Sequence, residues 1–185
     1  MFSWLTNRFG GHSTDPRVNE LAEQLYAAIV AQARQPVFYS ELGLADTIPG
    51  RFELVSLHMF IVLDRLSNRG GLDDEVAQRL VDVMFLDMDD VARETGVGDM
   101  GVGPRIKKLA RSFQSRLEYY KEAIEGDSRG TLPEAIIEIH FKEDIAQMPM
   151  AEQLADYVKA GQARVGGMSL DEMAAADALF TELQV

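Results

Sequence analysis

The three histidines, His12, His58 and His140, are the first residues to consider for metal binding or acid–base catalysis. None has a second histidine three or four residues away, or a carboxylate at the spacing typical of metal ligands, so the sequence predicts no metal site. Cysteine is absent, which excludes disulfides, thiolate metal sites and a cysteine nucleophile. We interpret His58, which lies in the most apolar segment, as a neutral, hydrogen-bonded core residue.

Two further patterns are typical of enzymes. Asp87, Asp89 and Asp90 form an acidic cluster in which only Asp87 and Asp90 share a helix face. A solvated face is the ordinary interpretation, and cation binding or acid–base chemistry is the alternative. Residues 96–101 spell G-x-G-x-x-G, a dinucleotide-binding motif only after a strand. Since no strand is predicted, we interpret it as a tight turn between helices, and we expect a non-catalytic protein without a cofactor or a small-molecule substrate.

A basic segment follows this motif in a chain whose net charge is −12. Between Pro104 and Lys121, six basic residues oppose the single acid Glu118, which makes the segment +5 and the rest of the chain −17. The segment is either a solvated helix face or a surface for an anionic partner such as ribosomal RNA, anionic lipid or an acidic protein segment. The basic residues are Arg105, Lys107, Lys108, Arg111, Arg116 and Lys121.

The first residues of the chain form a short apolar patch. It consists of Phe2, Trp4, Leu5 and Phe9, with Arg8 beside them. Such a patch either lies at a membrane interface or is a frayed or docked tail. The N-terminus lacks the features of a signal peptide. The longest near-apolar run, residues 54–63, is far shorter than the roughly 20 residues that span a bilayer. We expect a cytoplasmic protein, soluble or peripheral at the inner face of the plasma membrane.

Helical periodicity dominates the elements that must position these residues. A regular apolar stripe over residues 18–33 follows Asp15, a suitable N-cap, and Pro16, which suits the first helical position. Residues 52–66 are apolar on nearly every face, which predicts a buried central helix. Further helices are predicted at residues 73–95, from Pro104, at 131–142, from about 150 to 161, and from Ser169, where Ser-Leu-Asp-Glu forms a capping box.

These elements predict an all-α fold, an irregular bundle of about six to eight helices around a buried central helix. The apolar content of 46% and the charged content of 26% are ordinary for a globular protein. We expect three parts: a flexible N-terminal segment (1–14), a helical domain (15–143), and C-terminal helices (144–185) packed on that domain or appended to it.

Four segments, in order along the chain, share a pattern with a known family. They are QARQPVFYSELGLADTIPGRF (32–52), LHMFIVLDRL (57–66), DMDD with RETGVGD (87–99), and VGPRIKKLARSFQSR (102–116). They resemble the ubiquinol–cytochrome c chaperone family, and the lack of a long targeting extension resembles its alphaproteobacterial branch. The motif residues without a candidate contact role are Pro36, Asp46, Gly50, Phe52, His58, Asp87, Gly96, Gly98 and Asp99.

The resemblance implies a non-catalytic helical chaperone that helps newly made cytochrome b mature into the ubiquinol–cytochrome c reductase complex. It also implies a small partner protein and action near the ribosome at the membrane. We expect the client-binding residues to be Phe38, Tyr39, Met59 and Met84. We expect the residues that bind an anionic partner to be Arg34, Arg51, Arg105, Lys107, Lys108 and Arg111. The alternative is a membrane-surface or ribosome-docking adaptor that uses the basic helix 104–121 and has no client groove.

Overall fold

The computed structural model describes residues 15–67, 69–94, 99–126, 130–176 and 178–183, with the backbone alone at 91–94 and 99–105. Within these residues the chain forms α-helices and no strand, which confirms the predicted all-α fold. The helices are α1 (Pro16–Ala33), α2 (Val37–Ser40), α3 (Ile48–Leu66), α4 (Gly71–Glu94), α5 (Asp99–Glu125), α6 (Leu132–His140), α7 (Met148–Gly166) and α8 (Leu170–Ala175). A 3-10 turn, Ile145–Gln147, leads into α7.

Helix α3 is the centre of the bundle, as its apolar sequence predicts. It packs against α1, α4, α5, α6 and α7, and every residue from 54 to 63 is buried. The two polar side chains in that stretch are Ser56 and His58. The Ser56 hydroxyl donates to the carbonyl of Phe52, and both ring nitrogens of His58 are hydrogen-bonded. A helix surrounded on all sides therefore contains no unsatisfied side-chain group in its most buried part.

The central helix begins four residues earlier than the apolar pattern predicts. Thr47 is its N-cap, and the Thr47 hydroxyl accepts from the backbone N–H of Gly50. Pro49 lies in the first turn, where a missing N–H removes no helical hydrogen bond. Pro49 and Gly50, which precede the predicted helix, are therefore part of the first turn of α3.

Two other predicted boundaries are wrong for a related reason. Helix α5 begins at Asp99 rather than at Pro104, so part of the G-x-G-x-x-G motif at residues 96–101 is helical. Helix α7 begins at Met148 and continues through Gly161 to Gly166. Glycine in a helix costs only about 1 kcal/mol relative to alanine, which packing can offset. At Gly161 the packing is visible, because an added Cβ would lie 3.2 Å from Cδ1 of Ile61 on α3.

The C-terminal helices share the core with the rest of the bundle. Helix α7 packs on α3 and α6, and α8 packs on α1, where Arg17 and Asp171 form an ion pair at 2.9 Å. The capping residues predicted for the first and last helices are confirmed. Asp15 accepts from the backbone of Arg17, and Ser169 caps α8. Within the described ranges, no helix is both long enough and apolar enough to cross a membrane.

Candidate functional site

A surface pocket of about 440 Å³ lies where α1 ends, α2 follows, and α3 begins. We call it the α1–α3 pocket. Its lining is Arg34, Pro36, Tyr39, Ser40, Asp46 and Arg51. All except Ser40 were singled out from the sequence as motif or contact residues. The structure thus brings together, on one surface, residues that are up to 17 positions apart in the chain.

One wall of the pocket is built by the break between α1 and α2. Pro36 follows the C-cap residue Arg34 and starts the single turn of α2. This turn directs Phe38 into the core, where it is fully buried, and leaves Tyr39 half-buried at the surface. The Tyr39 hydroxyl donates to the carbonyl of Ala33 at 2.7 Å. Because Ala33 is the last residue of α1, its carbonyl has no partner within the helix, and Tyr39 supplies one.

The opposite wall is the loop that leads into α3. A Cβ atom added at Gly50 would overlap the carbonyl oxygen of Ala45, so only glycine fits where the loop folds back on the helix. This close approach places Asp46 beside Arg51, and Nε of Arg51 donates to Oδ1 of Asp46 at 2.6 Å. The hydrogen bond from Arg51 lowers the pKa of Asp46, and the same bond raises the pKa of Arg51. Both side chains stay more than half exposed.

The charged residues of the pocket all influence the pKa of Tyr39. Burial raises the pKa of the Tyr39 hydroxyl, the nearby charges of Arg51 and Arg34 oppose that rise, and Asp46 adds to it. Arg34 forms no ion pair with any residue that the structure describes. Arg51 is compensated by Asp46, whereas Arg34 is exposed and has no ion-pair partner among the described residues. The lining therefore has a net charge of +1 beside the ring surfaces of Pro36 and Tyr39.

A buried polar network packs against the inner side of helix α2, which forms one wall of the pocket. Nδ1 of His58 lies 2.8 Å from the carbonyl of Leu54, so that nitrogen must carry the proton. Nε2 then accepts from the Tyr157 hydroxyl at 2.8 Å, and the Tyr157 oxygen accepts from Nε2 of Gln32 at 3.1 Å. The edge-on ring of Phe38 packs against both His58 and Tyr157. Helix α2 is thereby fixed to α3 and α7.

His58 is a structural residue, which confirms the prediction of a neutral, hydrogen-bonded core histidine. Its side chain is fully buried, and burial lowers its pKa to about 4, against a smaller opposing effect of the hydrogen bond to Leu54. The second described histidine, His140, is hydrogen-bonded through Nε2 to the Tyr120 hydroxyl at 2.9 Å. Among the described residues, no cluster of histidine and carboxylate side chains is placed to hold a metal ion.

Three of the four predicted client-binding residues are in the core. Phe38, Met59 and Met84 are each 0% exposed, so they present no surface to a partner in this conformation. They are apolar side chains on the inward faces of α2, α3 and α4, and burial in the bundle satisfies them fully. Tyr39 is the one that reaches the surface. Ile48, in the first turn of α3 and between the lining residues Asp46 and Arg51 in the chain, is an exposed apolar residue that the sequence did not single out, at 61% exposure.

The predicted basic strip is divided by the structure. Arg116 forms a two-fold hydrogen-bonded pair with Glu53 at 3.0 Å, and Lys121 binds Asp64 at 2.7 Å, so both of these cations tie α5 to α3. Lys107, Lys108 and Arg111 are exposed and have no ion pair within the described part of the chain. These three do not line the α1–α3 pocket. The side chain of Arg105 lies outside the described residues.

The remaining motif residues have structural roles or lie outside the description. Asp87 accepts from the Tyr26 hydroxyl at 2.7 Å and thereby joins α4 to α1. Burial, and then the bond to Asp87, raise the pKa of Tyr26. Phe52 is buried at the start of α3. The predicted turn residues Gly96 and Gly98 lie outside the described residues, and only the backbone of Asp99 is described, as the first residue of α5.

Sequence reasoning missed the partners of the predicted residues. Ser40 lines the pocket, and its hydroxyl lies 3.1 Å from the carbonyl of Pro36. Tyr157 and Gln32 complete the His58 network from helices α7 and α1. The tyrosine is 99 positions from His58, so no local pattern indicates the contact. The one available signal was the presence of His58 in an apolar helix, which requires a hydrogen-bond partner from elsewhere.

Two proteins of known function are similar in sequence to this chain. The chain is 23% identical over 165 residues to ubiquinol-cytochrome c reductase complex assembly factor 1 of Drosophila melanogaster, covering 86% of this chain and 63% of that protein. It is 22% identical over 165 residues to the Mus musculus protein of the same name, covering 89% and 54%. The chain therefore spans less than two thirds of the length of these relatives.

The structural comparison covers nearly the whole chain. The crystal structure of the Cbp3 homolog from Brucella abortus matches with a TM-score of 0.77 and 34% identity, over 90% of this chain and 92% of that one. The sequence model of the family described as Ubiquinol-cytochrome C chaperone matches residues 40–180. This match extends from Ser40 in the α1–α3 pocket to Phe180, whose ring packs on His58. The chain belongs to the ubiquinol-cytochrome c chaperone family, a family of chaperones rather than of enzymes.

Proposed function

We propose that this chain is a non-catalytic assembly chaperone for the ubiquinol–cytochrome c reductase complex and that its client is cytochrome b. The relatives named as assembly factors of that complex support the first part. The client is the one that the family resemblance implies, and because cytochrome b spans the membrane several times, its apolar segments need cover before assembly. We propose that such a segment binds along the α1–α3 pocket and contacts Ile48 in the first turn of α3, at the cytoplasmic face of the plasma membrane.

The observation that carries the proposal is the composition of the pocket surface. The rings of Pro36 and Tyr39 and the exposed side chain of Ile48 supply apolar contact area, and Arg34 and Arg51 supply charge beside it. A segment that leaves a membrane offers both apolar and polar groups, since apolar residues give way to polar ones at the membrane surface, so it can contact both parts of this surface. The pocket is held from below by buried groups, so it is formed before a client arrives.

Site-specific photo-crosslinking in cells that synthesise cytochrome b tests the proposal. A photoreactive phenylalanine analogue replaces Ile48 in one variant and Ile145 in the matched control. Ile145 is a similarly exposed isoleucine, at 67%, and lies in the 3-10 turn before α7, remote in the chain from the pocket lining. We expect a cytochrome b adduct from position 48 and none from position 145. Equal yields at both positions, or no adduct with cytochrome b at either, would contradict the proposed client site.

A second function is favoured by the exposed cations of α5. Lys107, Lys108 and Arg111 form no ion pair with the described residues, as expected for a surface that binds an anionic membrane or the ribosome. In this alternative the chain is an adaptor that docks through the basic helix and has no client groove. A small partner protein, expected from the family resemblance, is compatible with either function.

Co-sedimentation with anionic liposomes and with ribosomes tests this alternative. Reversal of Lys107, Lys108 and Arg111 to glutamate should abolish binding, and binding by the unaltered chain should weaken as salt increases. The control is Lys159→Glu, which reverses one exposed cation on α7. Binding that persists at high salt, or that survives the triple reversal, would exclude docking by this face.

A further inference from the structure

The hydrogen-bonding capacity of the α1–α3 pocket is only partly used. Arg51 donates to Asp46 through Nε alone, so its two terminal nitrogens make no hydrogen bond with a described residue. The guanidinium of Arg34 likewise makes none with the described part of the chain. A guanidinium has five N–H donors in a fixed plane, suited to binding both oxygens of a carboxylate or phosphate. The pocket thus presents two arginines with donors directed at none of the residues that the structure describes.

The net charge of the lining selects between these two anions. Arg34 and Arg51 against Asp46 give the lining a net charge of +1. A phosphate group carries about −1.5 to −2 at neutral pH, which is more than this lining can compensate. A carboxylate carries −1, which matches the lining. The pocket therefore favours a carboxylate.

The shape and neighbours of the pocket indicate what carries the carboxylate. A volume of about 440 Å³ exceeds the needs of a carboxylate alone, and the rings of Pro36 and Tyr39 can contact an attached aliphatic chain. Ile48 lies in the chain between the lining residues Asp46 and Arg51 and is exposed, so it can contact an apolar neighbour of the bound residue. These features fit an acidic side chain within an extended, otherwise apolar segment of polypeptide.

We propose that the α1–α3 pocket binds the carboxylate of a glutamate or aspartate side chain that flanks an apolar client segment, held between Arg34 and Arg51. This inference rests on the proposed chaperone function and specifies what the site recognises. The two arginines bind the carboxylate next to the apolar segment, while the rings of Pro36 and Tyr39 and the side chain of Ile48 contact the segment itself. Apolar segments with an adjacent acid are thus preferred over apolar segments alone.

The test is a binding titration of the full chain with three heptapeptides, which differ in the central residue and in whether the C-terminal carboxylate is free. The first has a central glutamate between leucine and valine residues and blocked ends. The second has glutamine in place of the glutamate, and the third has that glutamine and a free C-terminal carboxylate. We expect the first to bind about tenfold more tightly than the second, as for a charge-assisted hydrogen bond. Tighter binding of the third than of the first would overturn the proposal in favour of chain-terminus capture.

Single substitutions test which arginine causes the preference for the glutamate peptide over the glutamine peptide. Arg34→Gln should bind the glutamate and glutamine peptides equally, whereas Arg69→Gln, the replacement of another exposed arginine, should retain the tenfold preference. Inorganic phosphate should displace the glutamate peptide no better than acetate does. Equal binding of both peptides by the unaltered chain, no binding at millimolar concentration, or displacement by phosphate alone would overturn the proposal.

The outcomes are distinguishable from those of the crosslinking experiment. A cytochrome b adduct at position 48 without a preference for the glutamate peptide leaves the proposed function standing and removes carboxylate capture. A preference for the glutamate peptide without a cytochrome b adduct shows carboxylate binding and removes the proposed client.

Discussion

Acid should destabilise this protein because the unfolded chain protonates His58 more readily than the folded chain does. Burial lowers the pKa of the folded-state imidazole from 6.5 to about 4, so the unfolded chain takes up a proton between these pH values and the folded chain does not. Stability from the neutral imidazole is thus fully present above pH 6.5 and is lost as the pH falls from 6.5 through 4. The reason is structural, because a proton on Nε2 would break the hydrogen bond accepted from Tyr157 inside an apolar core.

The magnitude follows from the shift. One pKa unit corresponds to about 1.4 kcal/mol, so His58 should cost about 2 kcal/mol of unfolding free energy at pH 5 relative to pH 7. The cost should reach about 3 kcal/mol below pH 4. Carboxylates and His140 also respond to acid, which is why the comparison needs a variant without the His58 titration.

The assay is urea unfolding at pH 7 and pH 5 for the unaltered chain and for His58→Gln, in which an amide can accept from Tyr157 without taking up a proton. The unaltered chain should lose about 2 kcal/mol more than the variant between these pH values. NMR titration of the His58 ring provides a second measurement that does not depend on folding of the variant. An equal loss in both proteins, or a His58 resonance that titrates near 6.5, would refute the buried neutral imidazole.

Two substitutions test the local structure. Gly50→Ala should lower the unfolding free energy by about 1 to 3 kcal/mol, because the added Cβ overlaps the carbonyl of Ala45, whereas Gly166→Ala, where nothing lies within 4 Å, should be neutral or slightly stabilising. Equal effects in thermal unfolding would contradict the close approach. Ser169→Ala should cost about 1 kcal/mol by removing the N-cap of α8, measured by urea unfolding, and an unchanged midpoint would contradict the cap.

The parts of the fold predicted from sequence are those that local chemistry determines. The caps at Asp15 and Ser169 are read directly from residue type and spacing, and the central position of α3 follows from a helix without a polar face. Gly161 was read as an end of α7, although it lies inside the helix. Its role depends on Ile61, 100 positions away, and no local pattern specifies how closely two helices approach.

The candidate site likewise combines features that the sequence predicts with features that only the packing determines. Arg34, Pro36, Tyr39, Asp46 and Arg51 were predicted from the family resemblance, and the structure adds that they line one pocket. The resemblance could not separate surface residues from supporting ones, because a motif specifies residue types and not how deeply each side chain is buried. Only packing distinguishes Phe38, which supports the pocket, from its neighbour Tyr39, which lines it.

The proposed function requires the α1–α3 pocket for assembly of the reductase complex. The most direct measurement is the amount of assembled ubiquinol–cytochrome c reductase, by native gel, in a deletion strain complemented with different variants. The unaltered chain and Arg69→Gln should restore the complex, and the double variant Arg34→Gln with Arg51→Gln, present at equal level, should not. Normal accumulation of the complex in the deletion strain, or full restoration by the double variant, would contradict the claim.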